Sequence, residues 1–268
     1  MSGSKEKLVV LAVAAHPDDI EFMMAGTLLR LREAGATIHM WNLASGDCGT
    51  AVHSREEIIA LRWQEAQAAA REAGAIIHPP LCDDIAIFYE PVLLARVAAV
   101  VRTIQPDVVL TQSPQDYMED HQNTCRLLVS AVFCKGMRNY RTTPETGPWD
   151  GRTALYHCLP YGLRDGLRKL VRPGQYVDIG PVLKHKRRML ALHRTQKEWL
   201  DVSQGLDAYL TEMEDMCAEV GKLSGRFAAA EGWRRHSHLG FCESGYDPLS
   251  QWLDPGCWTD PAYEEALL

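Results

Sequence analysis

The chain has 268 residues, 46% of them apolar, enough to bury a full core. A formal net charge of −7 excludes a broad basic surface for nucleic acid, and the basic run Lys184-His185-Lys186-Arg187-Arg188 reads as one solvated helix face. No apolar stretch reaches the roughly 20 residues of a membrane span. The eight cysteines include no Cys-x-x-Cys pair, which points to reduced thiols in a cytoplasmic protein and away from a disulfide framework or zinc knuckle.

Residues 8–15 form a continuous apolar run, as in a parallel strand buried on both faces. The competing reading is a signal-peptide core with Ala12-Val13-Ala14 as cleavage site. That run is short for the purpose, and cleavage would remove the strand that carries His16. A helix is predicted over about 20–33, ended by Gly35. A second strand follows over 36–43, then a loop from Ser45 to Thr50. Ser54 and Glu57 form a capping box for a helix running to Gly74. Residues 75–78 read as a short strand, 91–104 as helix, 107–111 as strand and about 120–134 as helix. After a connection over 136–152 comes a strand over 153–159. Residues 181–232 read as helical, and the tail from about 240, rich in Pro, Gly and Trp, is expected to wrap the body or a neighbouring subunit. Strands alternating with helices define an α/β fold with a doubly wound, mainly parallel sheet, helices on both faces and a C-terminal helical extension. The expected organisation is a single domain over 1–268, with its core at about 8–160 and the helical region and tail at about 161–268.

In open α/β sheets ligands bind beyond the C-terminal ends of the strands. There the first strand delivers His16-Pro17-Asp18-Asp19. Imidazole and carboxylate can hold a divalent ion, while a second carboxylate off the ion takes a proton from water. Taken alone, the same residues also fit a helix-capping loop with a surface histidine. The loop Ser113-Pro114-Gln115-Asp116-Tyr117-Met118-Glu119-Asp120-His121 ends another strand and supplies a second histidine with carboxylates. A nucleotide-binding module would need Gly-x-Gly-x-x-Gly at the first turn, where two carboxylates here repel an anion.

Ala15-His16-Pro17-Asp18-Asp19-Ile20-Glu21, followed by Ala25-Gly26-Thr27-Leu28, resembles the opening motif of the PIG-L/LmbE family of zinc-dependent N-deacetylases. Further matches follow in order: Ser45-Gly46-Asp47 with Gly49-Thr50, Arg62-x-x-Glu65-Ala66, Gln105 to Val109, Asp120-His121, Lys186 through His193 to Gln196, and Ala230-Glu231. The resemblance spans roughly 8–240 and implies a Rossmann-like fold. It implies one zinc ion per subunit, or another divalent metal, held by His16, Asp19 and His121, with Asp18 as general base. Arg62 matches a substrate-contacting arginine, although a helix ion pair with Glu65 or Glu57 suits it equally. Asp84, or its neighbour Asp83, matches a substrate-binding acid. The implied reaction hydrolyses the N-acetyl amide of an N-acetylglucosamine-type amino sugar or conjugate, releasing acetate and a free amine. The implied setting is a cytoplasmic homo-oligomer, trimer or hexamer. An amidase for another amino-sugar conjugate and a non-catalytic sugar-binding relative remain alternatives.

One position departs from the pattern. Many relatives carry a second histidine three residues before the metal histidine, where this chain has Met118. His238 in catalysis and His236 at the substrate are the expected replacements, ahead of His157, Tyr117 and Tyr161. Residues 136–180 and the tryptophans Trp233, Trp252 and Trp258 are expected to shape the substrate pocket or an oligomer interface.

Overall fold

The structure, a computed structural model, describes residues 7–196 and 208–268. Strand β1 (Val9–Ala14) is the predicted apolar run. Val10, Ala12 and Ala14 enter one core, while Leu11, Val13 and Ala15 enter another. Burial on both faces explains why this strand needs no polar alternation. Parallel strands β2 (Thr37–Asn42) and β3 (Ile76–His78) flank it on one side. Parallel strands β4 (Val108–Thr111) and β5 (Ala154–Cys158) flank it on the other. The sheet then continues through antiparallel pairings of β6 (Gln175–Asp178), β7 (Ala230–Arg235) and β8 (Cys257–Thr259). The full order is β3-β2-β1-β4-β5-β7-β6-β8.

Helices α2 (Ala25–Glu33), α3 (Arg55–Ala73), α6 (Leu183–Leu190) and α7 (Ala208–Ser224) contribute to the first core. Helices α4 (Pro91–Ile104) and α5 (Glu119–Phe133) contribute to the second. The fold is therefore α/β with a mostly parallel central sheet covered on both faces. Among the described residues no helix is long and apolar enough to cross a membrane, and all eight cysteines are free.

Three expectations need correction. The helix predicted over 20–33 is two helices, α1 (Asp19–Met23) and α2, broken at Met24. A second helix start exposes new backbone donors, and Glu231 satisfies them by accepting from the N–H groups of Gly26 at 2.8 Å and Thr27 at 2.7 Å. Gly26 is required for this approach, because a Cβ there would sit 2.5 Å from Ile179 Cγ2. The helical reading of 181–232 overran β7; of that range, 197–207 lie outside the described residues. Glu231, Arg234 and Arg235 hide β7 from a hydrophobicity pattern, since the sequence does not show that Glu231 is buried with a partner.

That partner is Lys186, which is fully buried and donates to Glu231 Oε1 at 2.6 Å. The basic run is thus not one solvated face. The nearby segment is joined to the N-terminal half by two more polar contacts. His193 Nε2 lies 3.3 Å from Glu21 Oε1, and Thr195 donates through N–H and hydroxyl to Glu65 at 3.0 and 2.6 Å. Removing one member of a buried ion pair strands the other charge, at a cost of about 3–5 kcal/mol. Lys186→Met is therefore expected to lose about that much unfolding free energy, read from the denaturant midpoint at unchanged slope. A loss under about 1 kcal/mol would show that this pair does not fasten the C-terminal half to the sheet.

Candidate metal centre and active-site cavity

Strands β1 and β4 are neighbours whose connections leave in opposite directions, one toward β2 and the other toward β5. This is the switch point at which a doubly wound sheet opens a crevice. His16 follows the end of β1, Asp19 begins α1, and His121 lies in the first turn of α5. Gln112, just past β4, ties the two strand ends together. Its Oε1 accepts from Ala15 N–H at 3.0 Å and its Nε2 donates to Asp19 Oδ2 at 3.1 Å.

His16, Asp19 and His121 each offer a ligand atom, all within 4.8 Å of one another. Asp19 Oδ2 is 3.4 Å from His16 Nδ1 and 3.5 Å from His121 Nε2. Two bonds of about 2.1 Å to one ion leave a separation of this size. The other nitrogen of each ring is held by a carboxylate. His16 Nε2 lies 3.0 Å from Asp120 Oδ2, and His121 Nδ1 lies 3.1 Å from Asp116 Oδ1. That arrangement directs His16 Nδ1 and His121 Nε2 toward Asp19, as in carboxylate–histidine–metal sites. His121 Nε2 is buried with no hydrogen-bond partner, a costly state for a polar atom that a cation would relieve. The residues present thus fit a divalent ion.

The electrostatics agree. Burial opposes charging His16, but its hydrogen bonds to Asp120 and Asp19 outweigh this and lift its pKa to about 10. Burial opposes ionisation of Asp19, yet the two histidines hold its carboxyl far below the usual range. The cluster favours positive charge on the ring nitrogens that face Asp19.

Asp18 stands beside this group but outside it. Its backbone adopts φ 109°, ψ −25°, a strained conformation for a residue with a side chain. The carboxylate is buried. Oδ2 accepts the Tyr209 hydroxyl at 2.6 Å, and Oδ1 lies 3.8 Å from Arg62 Nη2. Burial pushes its pKa up to about 6, with Arg62 acting in the opposite direction. Tyr209 comes from α7, far along the chain, and no periodicity marks it out. Asp116 and Asp120 were visible in the sequence only as neighbours of His121.

The remaining predicted residues divide. Arg62 is buried, donates to Pro17 O at 2.8 Å and faces Asp18; Glu65 is engaged by Thr195, so the helix ion pair is not formed. Asp84 lines the cavity while accepting from the N–H groups of Gly46 at 2.8 Å and Cys48 at 3.1 Å. Asp83 turns instead to Arg55, at 2.5 Å. His236 and His238 are not brought to the cavity. β7 runs antiparallel to β5, with Cys158 opposite Trp233 and Tyr156 opposite Arg235. Continuing past Arg235 therefore leads away from the C-terminal sheet edge, and His236 N–H donates to Leu155 O. His236 Nδ1 sits 3.0 Å from His157 Nε2, and His238 is exposed on a separate small depression. Among the described residues, His16 and His121 are the histidines lining the main cavity, of about 350 Å³. Met118 lines it too, with Tyr117, Tyr161 and Tyr209 as the hydroxyl-bearing residues.

Fold and site together define a Rossmann-like α/β protein with a candidate His–Asp–His metal centre at its switch point. Residues 11–132 match the profile described as PIG-L, GlcNAc-PI de-N-acetylase. A diacetylchitobiose deacetylase from Thermococcus kodakarensis is 27% identical over 232 residues, covering 84% of this chain and 82% of that protein. Two solved structures share the fold. The N,N′-diacetylchitobiose deacetylase of Pyrococcus horikoshii superposes with a TM-score of 0.75 at 22% identity, covering 91% of this chain and 90% of that one. The 4-carboxy-2-hydroxymuconate hydratase of Pseudomonas putida gives 0.71 at 22% identity, covering 90% and 99%.

Proposed function

We propose that this protein is a zinc-dependent N-deacetylase that hydrolyses the N-acetyl amide of an N-acetylglucosamine-type sugar or conjugate. The observation that carries the reading is the candidate metal group with Asp18 beside it: two histidines and a carboxylate converge, while a second carboxylate stays off the convergence point. The family match and the diacetylchitobiose deacetylase relative support the substrate class.

In this reading His16, Asp19 and His121 hold one ion per subunit, and Asp116 and Asp120 orient the two rings. When bound, the ion lowers the pKa of a water molecule and polarises an acetyl carbonyl. Asp18 takes the proton of the attacking water and returns it to the departing amine. Tyr209 fixes Asp18 Oδ2, and Arg62 keeps the buried carboxylate charged by lying beside Oδ1. Arg62 acts on the substrate through Asp18 and Pro17. Asp84, at the rim, accepts a sugar hydroxyl while it braces the loop around Gly46. A cytoplasmic homo-oligomer, trimer or hexamer, is the proposed setting.

The test is acetate release from N-acetylglucosamine and diacetylchitobiose by protein loaded with one equivalent of zinc, before and after chelation. Release that disappears with the metal and returns with zinc supports the reading. A zinc-loaded protein that frees no acetate from either sugar overturns it.

A further inference from the structure

Five rings bracket the cavity in an unbroken series. His121 meets Tyr117 edge-on at 5.8 Å, Tyr117 meets Tyr161 at 6.3 Å, Tyr161 meets Phe22 at 5.2 Å, and Phe22 meets Tyr209 at 5.1 Å. The series begins at a candidate metal ligand and ends at the hydroxyl that holds Asp18. Three of its members, Phe22, Tyr161 and Tyr209, come from distant parts of the chain and pack together. Tyr117 differs, because its side chain is half exposed.

Tyr117 is nevertheless firmly placed. Asp116 Oδ1 accepts from Met118 N–H at 3.1 Å, and Asp116 O accepts from Gln122 Nε2 at 2.7 Å. Arg234 grips Gln115 of the same loop at 2.6 Å. An exposed aromatic ring on a pinned loop is preorganised to receive an apolar surface at little entropic cost. The lining of the same cavity also includes the acids Asp18, Asp19 and Asp84. Among the described lining residues Arg62 is the one arginine or lysine, and its guanidinium is already engaged by Pro17 O and Asp18.

We infer that this cavity is a subsite for an uncharged pyranose, stacked by its C–H face on Tyr117 and Tyr161 with its hydroxyl edge toward Asp84. A sugar ring has an apolar face and a polar edge, and the cavity lining offers tyrosine rings for the one and a carboxylate, Asp84, for the other. A phosphate on the ring directed away from the metal group would face Asp84, with no lysine and no unengaged arginine among the described lining residues to meet it. The inference rests on the N-deacetylase reading and narrows it: Tyr117 and Tyr161 set ring affinity, and the acids set charge preference.

The experiment compares N-acetylglucosamine, diacetylchitobiose and N-acetylglucosamine 6-phosphate with wild type, Tyr117→Ala, Tyr117→Phe and Tyr161→Ala, all zinc-loaded and matched in melting temperature. Loss of the stacking ring in Tyr117→Ala is expected to raise KM for the neutral sugars about tenfold with kcat nearly unchanged. Tyr117→Phe, which keeps the ring, should rescue KM to within about threefold of wild type. Wild type should turn over the phosphorylated sugar at least about tenfold less efficiently than the neutral one. Equal kcat/KM for the neutral and phosphorylated sugars, or a Tyr117→Phe variant as impaired as Tyr117→Ala, overturns the inference while leaving the deacetylase reading intact. Absence of acetate release from any substrate by wild type defeats the underlying reading instead.

Discussion

Asp18→Asn is expected to lose turnover by a factor of about 10²–10⁴ while the protein keeps its zinc. Asp18 is outside the group of three converging ligand atoms, so the ion has no direct claim on it. Its carboxylate has one oxygen on the Tyr209 hydroxyl and the other facing Arg62, and the change to an amide removes the proton acceptor with little change in volume. Asn is also among the residues that tolerate positive φ, so the substitution should not unfold the loop held at φ 109°. The expected loss corresponds to about 3–5 kcal/mol of transition-state stabilisation. Metal content by elemental analysis and kcat on one acetylated sugar decide the matter together. Near-normal turnover in a zinc-replete variant would remove Asp18 from the base role, and loss of zinc would move it into the ligand set.

The sequence reveals this half of the site because the chemistry is local. His16, Asp18 and Asp19 sit within four residues of a strand end, and the neighbouring strand ends in its own histidine loop. Doubly wound topology makes β1 and β4 adjacent, so backbone topology alone brings His121 to them. The rest of the site depends on pairings that leave no periodic trace. Tyr209 reaches Asp18 from 191 residues away. His236 and His238 are the replacements expected for the histidine absent at Met118, but the direction of β7 carries them past the opposite end of the sheet. Lys186 and Glu231 look like surface charges until each is seen to be the other's partner. Charge pattern alone cannot distinguish a solvated cation from one that is buried and paired, because both are written with the same letter.

The fold narrows function less than the site does. A hydratase and a deacetylase both superpose on this chain with TM-scores above 0.7. Shared architecture therefore supplies the crevice, while the residues at its floor decide the chemistry.

His121→Ala is expected to abolish stoichiometric zinc binding, and activity with it. Its Nε2 is the buried atom that lacks a hydrogen-bond partner, and its Nδ1 is already fixed by Asp116, so the ring has one free coordinating position. Two remaining protein ligands, His16 and Asp19, form an incomplete set for zinc. Asp116→Asn provides the graded comparison. It leaves the ring in place but weakens its orientation, and substitutions of this kind cost about 10–100-fold in metal affinity. The expected order of affinity is wild type, then Asp116→Asn, then His121→Ala, measured by competition with a chelating dye. Thermal unfolding gives an independent reading. An ion bound only by the folded chain stabilises it by about 4 kcal/mol at a thousandfold excess over Kd, so added zinc should raise the melting temperature of wild type and leave that of His121→Ala unmoved. A His121→Ala protein that holds one zinc as tightly as wild type would place the ion elsewhere, and the carboxylate pairs at Asp116 and Asp120 would then be structural braces for two ordinary buried histidines.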